Sequence, residues 1–300
     1  MIQLRVPATS ANLGPGFDTL GLALNLYLTV NASLAERDIF LYEGLTEDAG
    51  QLPDTPDNLI HEGFRAAFAE VGEAAPALRL EVRNPIALAR GLGSSSAALI
   101  AGIAAADALM EGRLGRDGVF QLGARLESHP DNVAPAVYGG FTVSAQLKDR
   151  YLCESLSVPA DWQLLFGIPD FILPTHKARA ALPETYSRDE AIFNASRTAL
   201  WSLAVLGDRP DLLRVASQDA LHEPYREPLV PGLARCRLDV VAAGAHAAFL
   251  SGAGPTVGVI CSAERKAACA QVLQDFVGEG RVLEARVGGG YEVESVSSRR

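Results

Sequence analysis

A chain of 300 residues that is 48% hydrophobic and 21% charged has the composition of a globular protein, long enough for two cores of about 150 residues each. Its 26 basic and 36 acidic side chains leave a net charge of −10, which argues against general attraction to nucleic acid or an anionic membrane and leaves any anionic substrate to be drawn by local groups. Residues Met1 to Arg5 lack the apolar stretch of a signal peptide, and the uncharged run 91–106 is shorter than the ~20 residues that span a bilayer, so a cytoplasmic protein is expected.

Leu20, Leu22, Leu24, Leu26, Leu28 and Val30 alternate with smaller or polar residues, the period of a half-buried strand. Ile60, Phe64, Phe68 and Val71 then recur at helical spacing behind Asp57 and Asn58, candidate caps, and Leu78, Leu80 and Val82 return to a period of two. Residues 91 to 98 read Gly-Leu-Gly-Ser-Ser-Ser-Ala-Ala. Glycines at 91 and 93 let the main chain turn close to an anion, and the helix start beyond them offers unpaired N–H groups and a partial positive charge. No lysine lies between Asn31 and Ala145, so this is not a Walker-type loop. Taken alone, it also reads as a tight turn capped by serine. The helix that follows is apolar nearly all round as far as Met110, which predicts the buried central helix of a first domain.

A helix from about Asp117 to Leu126 runs into Ser128-His129-Pro130-Asp131-Asn132, where the proline and Asx residues must break it. Lys148-Asp149-Arg150 and Pro159 precede a new strand at Leu164 to Ile168, which places a domain boundary between 1–155 and 156–300. Ser187 and Glu190 form a capping box ahead of a helix carrying Ile192, Ala199, Leu203 and Leu206, and a second helix follows Pro210. Strands at 247–250, 256–261 and 282–287 flank an Ala-rich helix at 263–277, with Ser251-Gly252-Ala253-Gly254-Pro255 joining the first two. The four cysteines show no CxxC spacing, so buried thiols and no zinc site are expected.

Three of these segments resemble the motifs of the GHMP small-molecule kinases: Pro7-Ala8-Thr9-Ser10-Ala11-Asn12-Leu13-Gly14-Pro15-Gly16-Phe17-Asp18, the Gly/Ser loop, and Ser251-Gly252-Ala253-Gly254-Pro255-Thr256. The first segment and His129-Pro130-Asp131-Asn132-Val133-Ala134-Pro135-Ala136 are similar to the homoserine kinase branch. The resemblance spans the chain. It implies an α+β fold of two domains, the N-terminal one like domain 2 of ribosomal protein S5 and the C-terminal one ferredoxin-like. It further implies ATP and L-homoserine as partners, no nucleic acid or membrane, Mg²⁺ as cofactor, a role in threonine biosynthesis, and an arrangement that permits a homodimer.

Phosphoryl transfer asks a protein mainly for positioning and charge neutralisation. By resemblance, the backbone from Ala87, Leu88, Ala89 and Arg90 through Gly91, Leu92, Gly93, Ser94, Ser95, Ser96 and Ala97 holds the nucleotide. Glu127 and Ser95, or Ser94 in its place, match the metal ligands, whose hard oxygens suit Mg²⁺. Without the family, Glu127 reads as an ordinary glutamate on a solvated helix face. Asp18, with Asn12 beside it, matches the partner of the substrate ammonium; Arg179 and Arg226 match those of its carboxylate, where a planar fork favours bidentate pairing. His129 and Asn132 fall near the substrate hydroxyl. Asp131 stands where several relatives carry a catalytic aspartate, so two mechanisms stay open: a base at Asp131, or base-free transfer with Asn132 orienting the hydroxyl, which is preferred. Two positions depart from the pattern. Ala87 replaces a proline and is expected to loosen the approach to the triphosphate, and Ser128 replaces a glycine, which predicts an ordinary backbone conformation there. A kinase for another alcohol and a catalytically idle ligand sensor are the competing readings.

Overall fold

The computed structural model describes residues 1–44 and 58–295. The chain begins with strands β1 (Ile2–Asn12), β2 (Gly16–Leu34) and β3 (Ile39–Gly44). Helix α1 (Leu59–Glu70), strand β4 (Leu78–Asn84) and helices α2 (Ser94–Leu109), α3 (Gly115–Glu127) and α4 (Val133–Tyr138) follow, then β5 (Phe141–Gln146) and β6 (Tyr151–Leu156). The second half contains β7 (Gln163–Ile168), α5 (Thr175–Ala180), α6 (Arg188–Leu206), α7 (Pro210–Ala216), α8 (Glu223–Arg226) and α9 (Leu233–Ala242). It ends with β8 (Ala247–Leu250), β9 (Val257–Cys261), α10 (Lys266–Val277), β10 (Arg281–Ala285) and β11 (Glu292–Ser295). Among the described residues no helix is long and apolar enough to cross a membrane.

The first sheet has the order β11-β1-β2-β4-β3, with β5 joining β2 farther along and pairing β6. The β1–β2 register slips at Pro7/Ala8, leaving Asn25 and Leu26 outside the pairing. The predicted alternation therefore holds only beyond the slip, from Leu28 to Ala32, whereas Leu20 to Leu24 are buried on both faces. The second burying surface comes from α6 of the other half, which local sequence periodicity does not encode. Asn58 caps α1, its side chain accepting from His61 N at 2.9 Å; Asp57, the other candidate cap, lies outside the described residues. Helix α2 is buried nearly all round, as its composition predicts, because α1, α3 and β1 surround it.

The second sheet is antiparallel in the order β10-β7-β9-β8. Its strands and helices follow a βαββαβ path, the ferredoxin-like arrangement. Both faces of this sheet are covered, and the period of two sorts its side chains. Leu164, Phe166, Ile168, Phe249 and Ile260 join the core of the first half, through Trp201 and Phe141. Leu165, Val257, Val259 and Cys261 pack instead against Val240 of α9 and Cys269 and Leu273 of α10. The larger of these two buried clusters thus contains residues from both sides of the expected boundary at 155/156. The last strand also crosses it. β11 pairs β1, and Val287 and Gly289 form bridges to Leu24 and Gly139, so the end of the chain belongs to the first sheet and not to a unit spanning 156–300. The four cysteines are free thiols, three buried and Cys153 half-buried.

Candidate active site

The three sequence segments, far apart in the chain, meet at one place. Ser251 is fully buried; its Oγ donates to Gly91 O at 2.6 Å and receives a hydrogen bond from Ser10 Oγ at 2.8 Å. Gly252 N donates to Ala11 O at 3.0 Å, and Thr9 N donates to Leu92 O at 3.0 Å. They enclose a cavity of about 460 Å³ lined from both halves of the chain.

Gly93 is the N-cap residue of α2, left-handed at φ +67°, with no side-chain cap over the helix start. The open N–H groups of the first turn are therefore available to an anion, with the helix dipole behind them. A Cβ at Gly91 would lie 2.2 Å from Ser251 O, and one at Gly93 would lie 1.9 Å from Thr9 Oγ1, so only glycine lets the loop approach its neighbours this closely. Of the residues assigned to the nucleotide, Ala87 to Ser96 line the cavity, but Ala97 does not: it is fully buried in the core, and Ala98 lines the cavity instead. Arg90 lines the cavity too, and its side chain reaches across to the second half. Its guanidinium donates to the carbonyl oxygens of Leu88, Pro169 and Asp170 at 3.1, 3.2 and 2.9 Å, strapping the loop to the second half.

At the end of α3, the Glu127 side chain is only 13% exposed. Burial pushes its carboxyl above the ordinary range, opposed by His129 and by hydrogen bonds from Ser96 and Ser95. This is not the solvated glutamate its surroundings in sequence suggest. Ser94 Oγ accepts from Asn84 Nδ2 at 3.1 Å, which leaves Ser95 and Ser96 as the hydroxyls facing Glu127. A desolvated carboxylate beside two hydroxyls is a donor set of hard oxygens that fits Mg²⁺.

The turn after α3 contradicts one expectation. Ser128 is left-handed at φ +63° and ψ +6°, so serine occupies the conformation that glycine would take without strain, in order to reverse the chain toward Pro130. Next to it His129 Nδ1 lies 2.9 Å from Asp131 Oδ1, and Nε2 lies 3.7 Å from Glu127 Oε2. Burial disfavours the charged imidazole, but the hydrogen bond and charge of Asp131 and the charge of Glu127 outweigh it and raise the pKa. Asn132 Oδ1 accepts from Thr9 Oγ1 at 2.8 Å, and Asn132 Nδ2 donates to Asp131 Oδ1 at 3.4 Å.

The hairpin between β1 and β2 carries the other expected residues. Asn12 uses its amide internally, donating to Gly252 O at 3.0 Å and accepting from Asp18 N at 3.1 Å. Asp18 and Arg179, assigned to opposite ends of a substrate, face each other directly, with Arg179 Nη2 and Nη1 donating to the two carboxylate oxygens at 2.7 and 3.2 Å. One carboxylate or imidazole atom from each of Asp18, His129 and Asp131 lies within 4.8 Å of the others, a corner whose negative charge comes from the two carboxylates. Arg226, 2% exposed, donates from Nη1 to Gly252 O at 3.1 Å and from Nε to Ala178 O at 3.3 Å. Both guanidinium carbons stand 5.4 Å from the Phe17 ring centroid, within cation–π range.

Sequence reasoning did not pick out Thr9 or Phe17, although both lie in the first recognised segment, nor Thr175, Tyr42, Asn58, Leu59, Ile60 and Val82, which line the cavity. For apolar residues such as Leu59, Ile60 and Val82, nothing in the local pattern separates a lining side chain from a core one.

A two-domain fold with a nucleotide-type loop at the start of a buried helix defines a small-molecule kinase. Residues 58–140 match the GHMP kinases N terminal domain and residues 199–278 the GHMP kinases C terminal family. The homoserine kinase of Thermus thermophilus is 49% identical over 290 residues, covering 96% of this chain and 97% of its own. That of Moorella thermoacetica is 43% identical over 263 residues, 87% of this chain and 88% of its own. The crystal structure of homoserine kinase from Cytophaga hutchinsonii superposes with a TM-score of 0.86 at 27% identity, covering 98% and 97% of the two chains. The chain belongs to the homoserine kinase family of the GHMP kinases.

Proposed function

We propose that the protein transfers the terminal phosphoryl group of ATP to the side-chain hydroxyl of L-homoserine, giving O-phospho-L-homoserine for threonine biosynthesis. The observation that carries this reading is the convergence of a phosphate-type loop, a desolvated carboxylate and a paired acid–arginine cluster on one cavity that spans both halves of the chain. The open N–H groups at the start of α2 hold the β and γ phosphates. Glu127, with Ser95 and Ser96, would hold Mg²⁺, which when bound neutralises charge on the phosphates.

The amino acid lies at the end formed by Asp18, His129, Asp131, Arg179 and Arg226. The corner of the two carboxylates receives its ammonium, and the arginines, whose fork geometry suits a carboxylate, receive the other end. The close Asp18–Arg179 pair gives each substrate charge a partner already fixed in position. Asn132, held by Thr9, orients the hydroxyl. The hydroxyl oxygen bonds to the γ phosphorus as the bond to the β-bridging oxygen breaks, and its proton passes to a phosphate oxygen. Asp131 Oδ1 is already engaged by His129 Nδ1 at 2.9 Å and by Asn132 Nδ2 at 3.4 Å, so that oxygen is committed within the turn, which supports the base-free route. Closing the cavity between the two halves excludes water from the phosphoryl group.

A coupled ADP-release assay with L-homoserine, other amino alcohols and mevalonate tests this. ADP release that depends on L-homoserine, with phosphate found on its side-chain oxygen, is expected. Turnover of a different alcohol in preference, or none with any, overturns the reading in favour of another kinase or an idle sensor.

A further inference from the structure

His222 lies in no recognised motif segment, yet it touches two of the elements that build the amino-acid end of the cavity. Its ring is fully buried and 5.4 Å from that of Phe17. Nε2 lies 2.7 Å from Gly14 O, and Nδ1 lies 3.0 Å from Arg226 Nη1. A carbonyl oxygen only accepts and a guanidinium only donates, so the two partners together demand one protonation state: neutral, with the proton on Nε2. Burial favours the same state, pushing the pKa down to about 4 against the pull of Asp219, with Arg226 adding to the depression.

The surroundings fix this ring. The Asp219 carboxylate accepts from His222 N at 2.8 Å, Glu223 N at 2.7 Å and Asn194 Nδ2 at 2.7 Å, holding the turn that presents the imidazole. On the other side, Gly14 sits within three consecutive left-handed residues, Asn12, Leu13 and Gly14. Asn194 and Thr198 of α6 donate to the adjacent Pro15 O at 3.0 and 3.1 Å. That hairpin carries Asp18.

We propose that His222 is a positioning residue: through Nδ1 it holds the Arg226 guanidinium and through Nε2–H the hairpin bearing Asp18, so that one imidazole sets the distance between the groups that receive the two charged ends of the amino acid. The inference rests on the assignment of Arg226 and Asp18 to the substrate made above. It explains why an arginine is buried to 2% exposure without an ion-pair partner of its own among the described residues: a neutral acceptor orients the guanidinium without neutralising it, leaving its charge for a carboxylate.

Three variants separate the contacts. Gln places an amide nitrogen near the Nε2 position and keeps the Gly14 bond. Asn places an amide oxygen near Nδ1 and keeps the acceptor for Arg226. Phe removes both while filling the space. H222F is expected to raise KM for L-homoserine about tenfold or more, since a buried charged donor loses its acceptor, while KM for ATP stays within about twofold; H222N and H222Q each recover part of the loss. R226A, measured alongside, is expected to raise KM for the amino acid more than for ATP. If R226A shifts both constants equally, the substrate assignment fails and this proposal with it. If R226A is selective but H222F leaves KM for L-homoserine within twofold, or raises both constants together as the melting temperature falls, His222 is merely structural and the proposal alone is overturned. Should H222F not fold, the same split measured in H222N and H222Q decides the matter.

Discussion

Replacing Gly93 with alanine tests the geometry of the loop most directly, because two separate costs can be read from the structure. The first is conformational: at φ +67° alanine costs about 1–2 kcal/mol. The second is steric. The new Cβ would stand 1.9 Å from Thr9 Oγ1 and 3.0 Å from Asn132 Oδ1, and Thr9 belongs to a strand and is fully buried, so it cannot swing into solvent. Forcing an atom into such a site costs a further ~1–3 kcal/mol. The sum, ~2–5 kcal/mol, corresponds to a fall in melting temperature of roughly 4–20 °C at about 2–4 °C per kcal/mol for a chain of this size. Thr9 can yield only by giving up its hydrogen bond to Asn132. A displacement of about 1 Å in a positioning group costs on the order of a hundredfold in rate, so kcat/KM is expected to fall by about that factor.

Gly72→Ala supplies the control. Gly72 has nearly the same backbone, φ +77°, but nothing lies within 4 Å of its built Cβ, so it should show the conformational cost alone and unchanged kinetics. Thermal melts and steady-state rates of both variants decide. Equal melting shifts for the two, with kcat/KM of Gly93→Ala within about twofold of the parent, would refute the argument that the loop is fixed by contact with Thr9 and Asn132.

Glu127→Gln is expected to lower kcat at least about a hundredfold, or ~2.7 kcal/mol, and to weaken activation by Mg²⁺ without lowering the melting temperature, because a neutral amide replaces a carboxylate that burial disfavours; a magnesium titration of the rate and a melt check both points. Ser128→Gly relieves a left-handed serine and should raise the melting temperature by about 2–4 °C, from about 1 kcal/mol, with kcat unaltered; a lower melting temperature would mean that serine is not strained there. Asp131→Asn should keep kcat within about tenfold at saturating substrate, and a loss beyond about a thousandfold with folding intact would instead make Asp131 the base. The same substitution removes the Asp131 charge that favours charged His129 and leaves that of Glu127, so the His129 pKa should fall, which an NMR titration would follow.

Local chemistry is legible in the chain itself. The glycines and serines of 91–96, the helix break at His129–Asn132, the capping box at Ser187 and Glu190 and the apolar central helix all depend on backbone preferences of a few neighbouring residues, and spacing reports those directly. Resemblance then supplied the family, which spacing could not. At Ser128 the local expectation failed because a turn imposed by the surrounding fold overrode the preference of its side chain.

Tertiary structure alone decided how the charged groups meet. Asp18 and Arg179 stand 161 residues apart in the chain, Thr9 and Asn132 are separated by 123, and His222 and Gly14 by 208, distances over which no periodicity survives. The return of β11 to the first sheet and the crossing of the larger core over the expected boundary have the same origin. Local patterns specify which face of a strand or helix is apolar, but the partner of that face depends on how two sheets close over each other, and that choice belongs to the folded whole.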